Sequence, residues 1–269
     1  MIKPVLFPSG SLQLSAMTHY PQQMSVKEKA PAIIFVHGFV GSKVGEHRLF
    51  VKAARFFSER GYLVFRFDFS GCGESEGDYG QVTLSNQIKE LQSAIDYVLS
   101  IDSVDPNFLT IVGHSLGGAV SSLTASRDER IKQLILWSPV ARPYTDIVRI
   151  TGQEAVIRTK EEGAYDYNGF YLSPTFFEDL KLHQPLKSVQ NYRGPAYIIH
   201  AALDEDVPKE NAFDYYQAFS NKKTTSTTHY SYIEKADHTF SSYTFEQQLF
   251  ELTFQWITEQ NTQNTAQII

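Results

Sequence analysis

The sequence predicts an α/β fold with a mostly parallel central sheet, helices on both faces and one long insertion. Three observations carry this. First, short apolar runs recur along the chain: "AIIFVHG", "YLVFRFD", "FLTIVGH", "IKQLILW" and "AYIIHA". Runs apolar on both faces suit central strands of a sheet covered on both sides. Second, stretches with helical spacing lie between them, at 46–60, 82–101 and 115–126. Strand alternating with helix means βαβ units, and right-handed crossovers place the helices on both faces. Third, the rhythm breaks once: about fifty residues separate "LILWSPV" from "GPAYIIHA", where one helix would suffice.

The remaining elements follow in order. The first twenty residues alternate weakly and predict an opening hairpin. The insertion, residues 139–190, carries Tyr144, Tyr165, Tyr167, Phe170, Tyr171, Phe176 and Phe177. Disordered segments are poor in aromatics, so it reads as a folded cap on a core made of 1–138 and 191–269. The tail "EQNTQNTAQII" reads as a fraying end.

Composition narrows the function. The chain of 269 residues has a net charge of −6 and no basic stripe, which argues against a nucleic-acid partner. The N-terminus lacks the apolar h-region of a signal peptide, and no apolar run reaches the ~18 residues of a membrane span. With a single cysteine, Cys72, no intrachain disulfide can form. A cytoplasmic protein without a membrane partner is expected. The partner is a small molecule, and a homodimer is allowed. No His, Cys and Asp spacing points to a metal, and no cofactor is expected. The glycines of "DFSGCGESEG", residues 68–77, lack both phosphate-loop patterns and read as a tight structural loop.

One motif carries chemistry. In "IVGHSLGG", Ser115 stands between a buried strand and a helix, with Gly113 and Gly117 two residues to either side. A sharp strand-to-helix turn lifts the serine Oγ above the sheet edge, and side chains at the flanking positions would collide with neighbouring elements. The helix N-terminus then faces the reacting oxygen, and the Leu116 N–H can donate to an oxyanion. The loop after "AIIFVHG" supplies a second donor, the Phe39 N–H. His37 in that loop reads as a structural histidine. A serine hydroxyl needs a base and a group to orient it. After the serine come His183, His200, His229 and His238. Of these, His238 lies in the loop "KADHTF", where catalytic groups belong. The acid should follow "AYIIHA", where Asp204, Glu205 and Asp206 compete, with Asp237 beside the histidine. Pro208 suits a first helical position and puts Asp206 near a helix cap, which leaves Asp204 as the better orienter.

"VHGF", "FDFSGCGESEG", "GHSLGG", "HAALDEDVP" and "ADHTF" occur in the order found in α/β-hydrolases, which the chain resembles over nearly its whole length. Within them, "HGFVGSKVGEHRLF" and "GFYL" are similar to the bacterial cinnamoyl (feruloyl) esterase group. The resemblance implies a triad of Ser115, Asp204 and His238, with Phe39 and Leu116 as oxyanion donors. D-x-x-V-P at 204–208 supports Asp204 over Asp206. It also implies a cap after the sixth core strand covering an acyl pocket, with Tyr171 touching the phenolic end of a substrate. Ala201 departs from the His-Gly of many relatives. A serine carboxylesterase is the expectation. Monoacylglycerol lipase, thioesterase, peptidase and a non-catalytic binding protein of this fold remain as alternatives.

Overall fold

The computed structural model describes residues 1–22, 29–221 and 226–268, with side chains to 262. The chain opens with the expected hairpin. β1 (Ile2–Ser9) and β2 (Leu12–His19) pair antiparallel over their full length. Strands and helices then alternate: β3 (Ala30–Val36), α1 (Leu49–Ser58), β4 (Leu63–Phe67), α2 (Leu84–Leu99), β5 (Val104–His114), α3 (Leu116–Ala125) and β6 (Gln133–Trp137). An inserted segment follows, with α4 (Pro143–Thr151), α5 (Gln153–Glu162), the small hairpin β7 (Tyr165–Tyr167) and β8 (Phe170–Leu172), α6 (Pro174–Leu180) and α7 (Pro185–Ser188). The chain rejoins the sheet with β9 (Ala196–Ala201), α8 (Glu210–Ser220), β10 (Thr228–Ile233) and α9 (Tyr243–Ile268).

The main sheet runs β1-β2-β4-β3-β5-β6-β9-β10. β2 joins β4 antiparallel, and every pairing from β4 to β10 is parallel. Side chains alternate across a strand, and the two faces of β3 show the result. Ile33 and Phe35 pack with Phe50 and Phe57 of α1, Trp137, and Phe250 and Trp256 of α9. Ala32, Ile34 and Val36 face the opposite core, with Leu91 of α2, Val120 of α3 and Phe219 of α8. Both faces are covered, which is why the central runs carry so few polar residues.

Helix ends depart from expectation where local chemistry intervenes. The stretch 46–60 does not begin as one α-helix, because Gly45, His47 and Arg48 all have positive φ. α2 starts at Leu84, where the Thr83 hydroxyl accepts from Asn86 N at 3.1 Å, a side-chain cap of the kind that fixes helix starts. α8 begins at Glu210, two residues beyond Pro208. The tail, expected as a fraying end, continues the last helix. α9 continues to Ile268, anchored where Gln133 Nε2 donates to Asn261 Oδ1 at 2.6 Å and Thr227 Oγ1 to Gln260 Oε1 at 3.3 Å.

The inserted segment is folded against the core. Phe176 and Phe177 are buried, Phe176 stacks on Phe39 at 5.7 Å, and Phe170 meets Tyr79 edge-on at 4.9 Å. Asp179 of α6 accepts from the Ser85 hydroxyl at 2.6 Å and its N–H at 3.0 Å, joining the segment to α2. Among the described residues no helix is long and apolar enough to cross a membrane.

The 68–77 loop folds around one buried carboxylate. Asp68 accepts from Lys43 Nζ and Lys43 N, each at 2.5 Å, and from Glu74 N at 3.0 Å. A Cβ at Gly73, whose φ is +53°, would lie 2.1 Å from the Asp68 carboxylate. Cys72, inside the same loop, is buried, and burial pushes its thiol up to about 12, so it is not a nucleophile. Lys43 and Asp68 are both buried, and removing one partner strands the other charge. Asp68→Ala should therefore cost about 3 kcal/mol or more, read as a lower urea midpoint, and Asp68→Asn should cost less. A midpoint unchanged in Asp68→Ala would show that the ion pair does not hold this loop.

Candidate active site

Ser115 joins β5 to α3 with φ 55° and ψ −124°, a conformation that side-chain-bearing residues rarely hold. Its backbone is tied down on both sides. Its N–H donates to Trp137 O at 3.0 Å, and its carbonyl accepts from Gly118 N at 2.9 Å and Val140 N at 3.0 Å. The flanking glycines are steric necessities. A Cβ at Gly113 would meet Ser121 Oγ at 2.4 Å and Gly117 O at 2.5 Å. One at Gly117 would meet the carbonyls of Val36 and His37 at 2.3 and 2.4 Å. The turn therefore lies directly against the end of β3.

The loop after β3 packs on the serine. A Cβ at Gly38 would lie 2.9 Å from Ser115 Cβ and 3.3 Å from its Oγ, so Phe39 follows within reach of the same spot. His37 holds this loop. Its Nδ1 donates to Gly38 O at 2.9 Å, its Nε2 accepts from Phe69 N at 3.0 Å, and burial lowers its pKa. Tyr79 OH accepts from Val40 N at 3.1 Å. Among the described residues, no group accepts from the N–H of Phe39 or Leu116. These are the two donors expected for an oxyanion, and Leu116 N opens α3, where the helix dipole adds to its pull.

Ser115 and His238 line one cavity of about 380 Å³. His238 Nδ1 donates to Asp204 Oδ2 at 2.7 Å, and the Asp204 side chain is fully buried. The other oxygen, Oδ1, accepts from the N–H groups of Asp206 at 3.0 Å and Val207 at 2.8 Å. Burial works to raise the Asp204 carboxyl, but hydrogen bonds from His200 and His238 outweigh it and hold it well below the usual carboxylate range. Asp206 is exposed at the cavity wall, and Asp237 binds Ser241 instead. Asp204, Asp206 and His238 could in geometry surround a cation. The Asp204 oxygens and His238 Nδ1 are already paired with one another and with amides, so the set does not fit a metal.

Two histidines next to this pair were not singled out by sequence. His200, fully buried at the end of β9, places Nε2 3.2 Å from Asp204 Oδ2 and 3.3 Å from Val207 O. His114 Nε2 donates to the His238 carbonyl at 3.0 Å, with the two rings 4.9 Å apart. The signal for His200 was its spacing, four residues before the acid at a strand end.

Tyr171 lies away from this cavity. It is 60% exposed and absent from the cavity wall. In a two-stranded hairpin alternate residues face opposite ways. Phe170 and Leu172 pack inward, which turns Tyr171 out. Tyr167, four residues earlier, lines the cavity instead, with its ring 5.4 Å from that of Phe39.

Buried histidines give the fold a definite acid response. Burial, with Arg66 beside it, lowers His19 to about 4, and burial, with His238 beside it, lowers His114 to about 3. The unfolded chain binds those protons from pH ~6.5 downward. Stability is therefore complete above ~6.5 and falls as pH drops toward 4, by up to ~1.4 kcal/mol per pH unit for each histidine. Urea midpoints measured from pH 7 to 5 should decline, and His114→Asn should flatten the slope. A midpoint constant over that range would contradict the buried neutral state.

Comparison with known proteins follows the same lines. The family described as "Serine aminopeptidase, S33" matches residues 27–160. The quorum-quenching protein AidA of Acinetobacter baumannii is 34% identical over 136 residues, 50% of this chain and 43% of that protein. The human mitochondrial palmitoyl-protein thioesterase ABHD10 is 30% identical over 195 residues, 68% of this chain and 60% of that protein. The chain thus spans less than two thirds of the length of these curated relatives. The structure of Est1E from Butyrivibrio proteoclasticus with ferulic acid bound superposes with a TM-score of 0.81 at 24% identity, covering 96% of this chain and 99% of that one. Sheet order, the strand-to-helix elbow and the likeness to the Est1E structure together show the α/β-hydrolase fold.

Proposed function

We propose that the chain is a serine hydrolase that cleaves carboxylic esters through an acyl-enzyme, with Ser115, His238 and Asp204 as its triad. The observation that carries this is the 2.7 Å His238–Asp204 pair opening on the same cavity as Ser115 in its left-handed turn. His238 Nε2 takes the Ser115 proton as Oγ attacks the carbonyl carbon. The proton later passes to the leaving alcohol. Asp204 holds the Nδ1–H tautomer and stabilises the imidazolium. The N–H groups of Phe39 and Leu116 receive the oxyanion, each worth roughly 3–4 kcal/mol in such a site. Water, activated by the same histidine, then releases the acid. With its one cysteine buried and inert, the enzyme is read as cytoplasmic, acting on a small-molecule ester.

Hydroxycinnamate esters are the favoured substrates. Phe39, Phe50 and Tyr167 line the cavity, and flat aromatic walls favour a planar acyl group by ~0.5–1.5 kcal/mol per good stack. The likeness in fold to Est1E with ferulic acid points the same way. The similarity to a palmitoyl-protein thioesterase supports a second reading, thioester cleavage by the same chemistry. The residues 139–190 are read as the cap that roofs the cavity through Ile150 and Tyr167.

Asp204→Asn should lower kcat by roughly 10⁴ by favouring the wrong imidazole tautomer, while Asp206→Asn should cost far less. The reverse order would reassign the acid. Tyr167→Ala should cut kcat/KM for ethyl ferulate up to ~10-fold more than for ethyl butyrate. Equal losses on the two esters, or faster turnover of a palmitoyl thioester by the parent, would remove the hydroxycinnamate reading.

A further inference from the structure

The stretch "HGFVGSKVGEHRLF" contains a histidine that the hydrolytic reading leaves without a task. His47 lies between β3 and α1. Glu46, the residue before it, lines the cavity, and His47 itself does not. Both His47 and Arg48 are left-handed, at φ 39° and 67°. Such backbone costs on the order of 1 kcal/mol or more per residue and persists only where the surroundings enforce it.

The surroundings here are two long-range hydrogen bonds. His47 Nδ1 lies 2.7 Å from Glu246 Oε1 of α9, and Nε2 lies 2.9 Å from the carbonyl of Thr239. The Thr239 carbonyl can only accept, so Nε2 donates to it. Glu246 is buried and is also paired with Lys52 of α1. The anchor at the α9 end is therefore fixed from two elements.

Thr239 follows His238 directly. The segment around them has left-handed residues on both sides, Lys235 at φ 62° and Phe240 at φ 55°. Two histidines from different parts of the chain grip its consecutive carbonyls: His114 takes that of residue 238 at 3.0 Å, and His47 takes that of residue 239 at 2.9 Å. His114 immediately precedes Ser115. His47 belongs to the same β3–α1 connection as Phe39. The base is thus tied by one bond to the nucleophile's turn and by the other to the oxyanion loop.

We propose that His47 is a positioning residue for His238, acting through the Thr239 carbonyl. This rests on the reading of His238 as the general base. His47 touches no reacting atom. Its contribution is to hold the imidazole at the height where Nε2 meets the serine proton, and a displacement of about 1 Å in such a site can cost 10²-fold in rate.

Two substitutions separate this role from a purely structural one. His47→Asn keeps a donor near the place of Nδ1, so it can still bind Glu246 but loses Thr239. His47→Gln keeps one near the place of Nε2, so it can reach Thr239 but loses Glu246. With ethyl butyrate as substrate, kcat should fall on the order of 10-fold or more in His47→Asn with KM nearly unchanged. His47→Gln should recover most of that loss although its tie to Glu246 is gone. Backbone hydrogen exchange of residues 237–242 should quicken in the Asn variant and not in the Gln variant. Equal losses of kcat in the two, a larger loss in Gln than in Asn, or a loss carried by KM would overturn the proposal. Should the Asn variant fail to fold, the Gln variant alone decides, since the proposal requires it to keep most of kcat. A parent that hydrolyses no ester would instead sink the esterase reading, and the two failures are distinct.

Discussion

The left-handed conformation of Ser115 is the constraint on which the site depends. A φ of 55° at a residue bearing a side chain is held because its N–H and carbonyl are bound by Trp137, Gly118 and Val140. It is reached only because nothing larger than hydrogen occupies Gly113 and Gly117, which lie against Ser121 and the carbonyls of Val36 and His37. The same closeness that demands glycine brings the β3 loop to the serine. Steric exclusion at two positions thus sets three things together: the place of Ser115 on the cavity wall, the Leu116 N–H that opens α3, and the approach of Phe39.

Around that turn, one side-chain type takes several roles according to its surroundings. His37, His114 and His200 are buried or nearly so and act as fixed hydrogen-bonding struts, with burial holding His37 and His114 neutral. His238 keeps contact with the cavity and has a buried carboxylate on Nδ1, the arrangement that the proposed proton transfer through Nε2 requires. Asp204 remains ionised despite burial because two imidazoles and two amides converge on its oxygens. A buried carboxylate lacking such donors would take up a proton, and the orientation of His238 would be lost with it.

Much of this was legible in the sequence, for reasons of periodicity and sterics. Apolar runs marked the parallel strands, the single break in rhythm marked the inserted segment, and Gly-x-Ser-x-Gly between a strand and a helix marked the elbow. Asp204 was separable from Asp206 by its distance from β9, and the structure pairs Asp204 with His238. What stayed hidden depends on long-range contact. The outward turn of Tyr171 follows from which face of a three-residue strand meets the core, and so short a strand carries no pattern to read. The role of His47 arises from partners brought together by the fold, 192 and 199 residues away in the chain. The helical continuation past residue 259 is accompanied likewise by long-range hydrogen bonds, from Gln133 of β6 and from Thr227 just before β10.

The central claim is that Ser115 is a nucleophile activated by His238. The direct measurement is mass-spectrometric mapping of the adduct formed with a fluorophosphonate. The account predicts a single stoichiometric adduct on the peptide containing Ser115, with formation strongly slowed in His238→Ala. An unlabelled Ser115 in folded protein, or an adduct on another serine that accounts for turnover, would contradict it.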